Sequence, residues 1–224
     1  MKSSGIVFDM ARLFTQPVVT DALIDRSRYH FNGTAYNISA WERLPSGLYC
    51  PKMVSGSNSY YLVPDIAPLL GAKQATWMGW VRKDAYVQYQ AIATDYTTTG
   101  GHKRWVLGYD NPDGTLNNTV GNGITLAATV CTGFTTGAWH FVWMRYTANS
   151  ETGAETGIDN TVGTPVSTTS VLALGAGILN HTYIGRYTSY YSSITLATLR
   201  ICNVALTDGQ IYQYREATRK LIGV

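Results

Sequence analysis

The chain has 224 residues, of which 45% are hydrophobic and 14% are charged, and its formal net charge is +3. This balance excludes a disordered chain, because there is ample apolar material for a core and too little charge to keep the polypeptide unfolded. The basic residues never form a run longer than two, so the basic stripe of a nucleic-acid-binding protein is not expected. No apolar run is long enough for a membrane span or a secretion signal.

In chain order, residues 1–20 are predicted to form an extended N-terminal arm or a first strand, because Pro17 interrupts any early helix. Residues 21–224 alternate short β-prone runs with turn residues and show no internal boundary, so they are predicted to form one domain. The main predicted strands are 59–64, 76–83, 88–96, 104–109, 123–130, 139–147, 181–187 and 194–203, with shorter ones near 157–162 and 171–174.

Two of these strands carry large side chains on both faces. In residues 139–147 (WHFVWMRYT) neither face suits water, because successive side chains of a strand point to opposite sides. Trp77 and Trp80 likewise fall on opposite faces of the strand at 76–83. Both strands are therefore expected at inner positions with cover on each side.

The clearest helix signal comes last. Thr207 and Asp208 are capping residues ahead of GQIYQYREATRKL, whose spacing predicts one short C-terminal helix. Strands that recur without intervening helices predict an all-β fold, a two-sheet antiparallel jelly-roll sandwich.

Four segments carry a family resemblance: DALIDRSRYHFNGT (21–34), GSNSYYLVPD (56–65) with the following TWMGWVRK, GAWHFVWMRYT (137–147), and YIGRYTSYYSSITLATLRICNVALTDGQI (183–211). Over about residues 21–215 the sequence resembles the laminin-G-like branch of the concanavalin A-like lectin/glucanase superfamily. The resemblance implies a jelly-roll sandwich of two curved sheets. Because the superfamily mixes lectins, glycoside hydrolases, adhesion modules and structural modules, it leaves the function open.

The resemblance weakens at the family's calcium site. Ala197 and Thr198 stand where members often have an Asp-Glu pair, and Arg28 stands where Gly is common. For Asp25 and Asn32 the alternatives are a calcium site and an Asx turn without an ion, and the turn is favoured because calcium needs several converging oxygens. No metal and no cofactor is predicted.

No catalytic motif is apparent. A glycosidase needs two facing carboxyl groups, and none of the four glutamates shares a strand with another acid at alternate spacing. The chain is therefore predicted not to be an enzyme, with a glycosidase that uses Glu151 or Glu155 as the least favoured alternative. His140, on a core strand, is predicted to be a hydrogen-bonded structural histidine.

Aromatic residues and arginine suggest a binding surface. Lectins stack aromatic rings on sugar faces and hold hydroxyls with planar polar groups. The candidate ligand-binding residues, for a sugar or a partner, are Arg186, Tyr187, Tyr190 and Tyr191, with Trp105 and Tyr96 in second rank. The alternative, which is favoured, is that these tyrosines cover a subunit contact or a sheet edge. Lys103 and Arg104 are expected in a solvated loop.

The expected function is that of a structural or attachment protein without enzymatic activity, in particular a bacteriophage capsid decoration or fibre component. It would contact other virion proteins through the N-terminal arm, form a homo-oligomer and reside in the virion after assembly in the host cytoplasm. The alternative is a carbohydrate-binding lectin module, which would bind surface glycans. Neither nucleic acid nor a membrane is an expected partner.

Overall fold

The computed structural model describes residues 5–10, 22–96, 103–110, 113–175 and 181–224. In chain order its first strands are β1 (Ile6–Asp9), β2 (Ala22–Leu23), β3 (Gly33–Tyr36), β4 (Ala40–Arg43), β5 (Tyr49–Met53), β6 (Tyr60–Pro64) and β7 (Gln74–Lys83). The next are β8 (Ala93–Tyr96), β9 (Lys103–Tyr109), β10 (Gly114–Gly121), β11 (Leu126–Phe134), β12 (Trp139–Thr147), β13 (Ala154–Ile158) and β14 (Thr161–Val162). The last are β15 (His181–Ile184), β16 (Arg186–Tyr187), β17 (Tyr190–Tyr191), β18 (Ile194–Leu196) and β19 (Arg200–Cys202). Short 3-10 turns cover Ser55–Ser57 and Ala67–Leu69, and helix α1 covers Asp208–Ile222.

The strands form two large sheets. Sheet A has the order β14-β13-β12-β7-β18-β5-β4, and β19 pairs with both β7 and β1. Sheet B has the order β11-β10-β9-β8-β15-β6-β3-β2, and β16 and β17 form a separate hairpin. The strands within both sheets pair antiparallel. The predicted fold class, an all-β two-sheet antiparallel sandwich with one C-terminal helix, is confirmed.

The main core lies between the two sheets. Strands β7 and β12 pair over nine consecutive residues in the middle of sheet A, and their inward side chains include Trp77, Val142 and Met144. Trp105 and Ile184 reach the same core from sheet B. One face of β12 is thus buried against the opposite sheet, as the alternation of its residues predicts.

A second apolar cluster covers the outer face of sheet A. Here Trp80, Phe141 and Trp143 pack with Ile211 and Tyr214 of α1. Trp80 therefore points away from the inter-sheet core, as its position on β7 predicts. The cover on the outer face of β12 is the C-terminal helix.

Helix α1 is confirmed, and it is fixed at its start and along its buried side. Thr207 caps its N-terminus in a capping box with Gln210, and Gly223 ends it with φ of 80°. The indole Nε1 of Trp80 donates a hydrogen bond to Thr218 Oγ1 at 2.9 Å, which joins the helix to sheet A. In the described part of the chain no helix combines the length and apolar character needed to cross a membrane.

Part of the predicted N-terminal arm belongs to sheet A. Strand β1 pairs with β19, Phe8 is fully buried, and Asp9 forms an ion pair with Arg200 at 2.6 Å. Residues 6–9 thus form an edge-paired strand of sheet A. Residues 1–4 and 11–21 lie outside the described part of the chain.

The predicted strands differ from the structure at several places: β3, β4 and β5 were not predicted, β11 lies later than the predicted strand at 123–130, and the predicted strand at 194–203 is divided into β18 and β19. β8 begins at Ala93 because the preceding residues turn, with Tyr89 at a φ of 64°. Residues 171–174 are buried but form no strand. Strand β10 was not predicted because its centre is polar; there the side chain of Asn118 is buried and accepts a hydrogen bond from the backbone N–H of Gly108 at 2.6 Å.

Candidate functional site

The β16–β17 hairpin divides the predicted binding residues into two pairs. Arg186 is opposite Tyr191 and Tyr187 is opposite Tyr190, with a tight turn in which Thr188 has a φ of 52°. Because paired residues of a hairpin share a face, one pair points to each side.

Arg186 and Tyr191 join three tyrosines of sheet B. The guanidinium carbon of Arg186 lies 4.9 Å from the ring centre of Tyr60, 4.7 Å from that of Tyr183 and 5.2 Å from that of Tyr191. The ring of Tyr36 stacks on Tyr60 with centroids 4.7 Å apart. We call these five residues the tyrosine–arginine site.

Strand alternation explains why these tyrosines meet on the outside of sheet B. Tyr61 and Ile184 are buried in the inter-sheet core, so their neighbours Tyr60 and Tyr183 point to the opposite face. Tyr36 is directly opposite Tyr60 in the β3–β6 pairing. The site therefore occupies the face of sheet B that is turned away from sheet A.

The charge of the site comes from Arg186. Its Nε donates a hydrogen bond to the carbonyl oxygen of Thr188 at 2.6 Å, and no carboxylate of the described residues forms an ion pair with it. The electron-rich faces of the tyrosine rings hold the cation in place. Burial raises the pKa of Tyr60, although Arg186 opposes this shift. The planar guanidinium carries five N–H donors and matches the geometry of a carboxylate or phosphate.

His181 lies at the edge of the site. Its Nε2 is 2.7 Å from the hydroxyl of Tyr183. Burial, and then the positive charge of Arg186, lowers the pKa of His181, whereas Asp65 acts in the opposite direction. The imidazole is accordingly neutral at neutral pH, which leaves Arg186 as the cation of the site.

The other pair of the hairpin faces elsewhere. Tyr187 is only 9% exposed and packs with Ala91 and Val106. Tyr190 is 42% exposed, and its ring makes an edge contact with Tyr89 at 5.0 Å. The structure therefore brings two of the four first-rank candidates into the site and places two outside it.

The prediction that Trp105 binds a ligand is wrong. Its side chain is fully buried and its ring lies 5.4 Å from that of Trp77 in the inter-sheet core. The neighbouring Arg104, expected in a solvated loop, lies on β9 and is 1% exposed. Tyr96 ends strand β8, and its side chain lies outside the described part of the structure.

Asp25 uses its carboxylate to hold the backbone. Its oxygens accept hydrogen bonds from the N–H groups of Asp9, Ser27 and Phe31, each at 2.8 Å, and from the Ser27 hydroxyl at 2.7 Å. Asn32 accepts from the N–H of Asp25 at 2.9 Å. These contacts form an Asx turn, and the described residues contain no group of three His, Cys, Asp or Glu side chains that could hold a metal ion.

His140 is bound at both ring nitrogens. Its Nε2 accepts the backbone N–H of Thr135 at 3.2 Å, so the proton is assigned to Nδ1, which lies 2.8 Å from Asp159 Oδ2. The imidazole is 8% exposed and fastens the start of β12 to the turn before β14. It has the contacts of the predicted structural histidine.

Carboxylates from distant parts of the chain do meet. Asp65 and Asp95 both bind the guanidinium of Arg104, and Asp110 and Asp113 both bind Lys83. The expectation that no acids converge was drawn from their spacing along single strands. In the folded sandwich, acidic residues that do not share a strand come close together, and spacing along one strand cannot reveal this.

A cavity of about 220 Å³ lies beside α1, lined in part by Trp143, Asp159 and Tyr212. Arg215 is the cation that lines this cavity. It already has partners, because it donates a hydrogen bond to Asn160 Oδ1 at 2.7 Å and lies 3.8 Å from the carboxylate of its neighbour Glu216. On chemistry, the tyrosine–arginine site is the better candidate, because no carboxylate of the described residues forms an ion pair with Arg186, whereas Arg215 lies beside that of Glu216.

No protein-family model and no curated protein matches this sequence. Solved structures do match it. Trypanosoma rangeli sialidase has a TM-score of 0.65 and 16% identity over 97% of this chain and 33% of its own. The binding domain of Paraclostridial Mosquitocidal Protein 1 has a TM-score of 0.70 and 12% identity over 94% of this chain and 51% of its own. The receptor binding domain of botulinum neurotoxin C/D mosaic serotype has a TM-score of 0.67 and 12% identity over 95% and 51%. The chain thus spans a third to about half of these neighbours, and at such identities the likeness shows a sheet-rich sandwich fold.

The prediction that the chain is not an enzyme is contradicted by these matches, because structures of a sialidase are prominent among them. The sequence argument considered only paired acids within single strands, and the fold also brings acids together from separate strands. The relationship is distant, at 14% to 16% identity and over a third of the sialidase chain.

Proposed function

We propose that this chain is a carbohydrate-binding attachment module of the laminin-G-like type, and that its tyrosine–arginine site binds a sugar that carries a carboxylate. One observation carries the proposal: Arg186 is held against three tyrosine rings, and no described carboxylate pairs with it. A cation on an aromatic surface that has no internal carboxylate partner is suited to an external anion.

The two parts of the site would contact different parts of the ligand. Tyr36 and Tyr60 stack on each other, and Tyr36 is 39% exposed, so an apolar sugar face can pack on this aromatic surface. The guanidinium of Arg186 would donate a forked pair of charge-assisted hydrogen bonds to the carboxylate. The rings lose little conformational freedom on binding, because their neighbours already hold them.

Two groups of solved neighbours support this proposal. One of the matching sialidase structures is a complex with sialic acid, and two other matches are binding domains of toxins. The sequence resemblance to the laminin-G-like branch points in the same direction, since that superfamily includes lectins.

Calorimetric titration with two oligosaccharides that differ only in a terminal sialic acid would test the proposal. We expect saturable binding of the acidic sugar, weakened about tenfold or more by Arg186→Gln, because hydrogen bonds to charged groups are worth about 1.5–3 kcal/mol. Tyr60→Ala should weaken binding of both sugars. Tyr212→Ala, at an exposed tyrosine on α1, is the matched control and should bind as the wild type does.

Equal affinity for the acidic and neutral sugars would contradict the role given to Arg186. The absence of binding across a wide panel of glycans would contradict the proposed function as a whole.

A structural role in a bacteriophage particle, with attachment to virion proteins through the N-terminal arm and assembly as a homo-oligomer, stays a prediction. None of the solved neighbours named above is a virion protein. Co-purification of the chain with an assembled particle would support this role, and it is compatible with glycan binding by the same domain.

A further inference from the structure

A buried lysine connects the two sheets. Lys83 ends β7 in sheet A, and its Nζ lies 2.9 Å from Oδ2 of Asp110, which directly follows β9 in sheet B. Both side chains are fully buried. A second carboxylate, that of Asp113, approaches the same Nζ to 2.5 Å from the exposed side.

The surroundings of this group exclude water. The Lys83 Nζ lies 5.1 Å from the ring centre of Phe134 and 5.9 Å from that of Tyr86. Gln90, itself 1% exposed, donates its side-chain N–H to Oδ2 of Asp110 at 3.0 Å. The other oxygen of Asp110, Oδ1, is buried without a partner among the described residues.

A comparison with a second buried ion pair shows which chemical property is specific to the Lys83–Asp110 pair. Arg104 and Asp95 are also buried, but a guanidinium stays charged and is a poor nucleophile. An amine that has lost its proton is a good nucleophile. In this buried pair the carboxylate of Asp110 can take that proton directly, because the two groups are already in contact.

We infer that Lys83 and Asp110 condense to an amide bond between their side chains, which would join sheet A covalently to sheet B, and that Asp113 carries the proton for this step. The fold already holds the Lys83 amine in contact with the Asp110 carboxyl group, so the two groups need not be brought together from solution. This inference is independent of the function proposed for the tyrosine–arginine site.

The reaction needs no further reagent. One proton passes from the ammonium of Lys83 to the carboxylate of Asp110, which gives an amine and a carboxylic acid. The amine then attacks Cγ of Asp110, and the protonated Oδ2, which the side-chain N–H of Gln90 holds at 3.0 Å, is the departing hydroxyl. Asp113 takes a proton from the nitrogen and returns it to the departing hydroxyl, so that a C–N bond forms, a C–O bond breaks and one water leaves.

The electrostatics of the two acids suit these different roles. Burial raises the pKa of Asp110, and the nearby Asp113 adds to this effect, against hydrogen bonds from Lys83 and Gln90. The hydrogen bond from Lys83 lowers the pKa of the exposed Asp113. Asp110 is thus the acid that more readily becomes protonated, and Asp113 is the one that stays charged as a base.

Mass spectrometry of the purified, denatured full-length chain tests this inference. We expect the mass of the wild type to be lower than the sequence mass by one water, and digestion to release a branched peptide that joins residues 83 and 110. Lys83→Arg, which keeps the charge, should show the full sequence mass. Asp113→Asn should also show the full mass or lose water much more slowly, whereas Asp65→Asn, at the other buried cluster, should react as the wild type does.

Wild-type protein that keeps the full sequence mass after prolonged incubation would overturn the inference. A succinimide at Asp113-Gly114 would also lose one water, but it gives only linear peptides and is cleaved by hydroxylamine, so that result would overturn it too. A branched peptide that forms equally fast in Asp113→Asn would overturn the role of Asp113.

Discussion

The hydrogen bond between Trp80 and Thr218 joins sheet A to the helix that covers it, and Thr218→Val tests its contribution. Valine has nearly the shape of threonine but cannot accept the indole N–H, which lies 2.9 Å from the hydroxyl. Because Trp80 is 2% exposed and Thr218 is 8% exposed, water cannot easily replace the lost acceptor. The substitution therefore leaves a buried donor without a partner.

Such an unpaired donor costs about 1–3 kcal/mol of the free energy of unfolding. For a chain of this size each kcal/mol lowers the melting temperature by about 2–4 °C, so we expect a decrease of about 2–12 °C. Trp80→Phe removes the donor instead. The double variant should cost about 1 kcal/mol less than the sum of the single variants, because neither partner then remains unsatisfied.

Urea unfolding followed by tryptophan fluorescence and by circular dichroism would give these free energies. Thr132→Val, at an exposed position of β11, is the control and should change stability by no more than about 0.5 kcal/mol. Additive effects of Trp80→Phe and Thr218→Val would refute the reasoning, since they would show that the two side chains do not stabilise each other.

Three further outcomes are expected. Thr207→Ala removes the N-terminal cap of α1 and should lower the free energy of unfolding by about 1 kcal/mol in the same urea assay. Burial raises the pKa of Cys50 and Cys202 to about 12 and also raises that of Cys131, so a thiol reagent should label these residues only after unfolding. Because the pKa of His181 is lowered from 6.5 in the folded state, its contribution to stability is present above that value and is lost as the pH falls. The melting temperature of the wild type should therefore drop more on acidification than that of His181→Gln, and equal drops would contradict this assignment.

Local pattern was sufficient for the features that depend on neighbouring residues. The alternation in WHFVWMRYT predicted that both faces of β12 are buried, because strand geometry fixes where each side chain points. The cap at Thr207 predicted the start of α1, because helix capping also depends only on residues that are close in the sequence. What covers the outer face of β12 was not predictable, since Ile211 and Tyr214 come from the far end of the chain.

The candidate site was predicted only where it is local. Arg186 and Tyr191 lie in one hairpin and were found, whereas Tyr36, Tyr60 and Tyr183 come from three strands whose order in sheet B does not follow the sequence. The pairing of β3 with β6 was the missing information, because it sets Tyr36 opposite Tyr60.

Trp105 was misassigned for a related reason. The adjacent Lys103 and Arg104 suggested solvent, but the carboxylates of Asp65 and Asp95 neutralise Arg104 in the interior. Those partners lie up to 39 positions away along the chain, so composition near Trp105 could not reveal them.

Helix α1 makes the two outer faces of the sandwich different, because it covers sheet A and leaves the outer face of sheet B to the tyrosine–arginine site. Strand β1 and helix α1 both belong to the side of sheet A, and the tyrosine–arginine site lies on the far side of sheet B. A tag, a neighbouring domain or a larger assembly joined through either of these elements would be attached on the side of sheet A. The aromatic surface would then face outward, toward whatever the assembly meets.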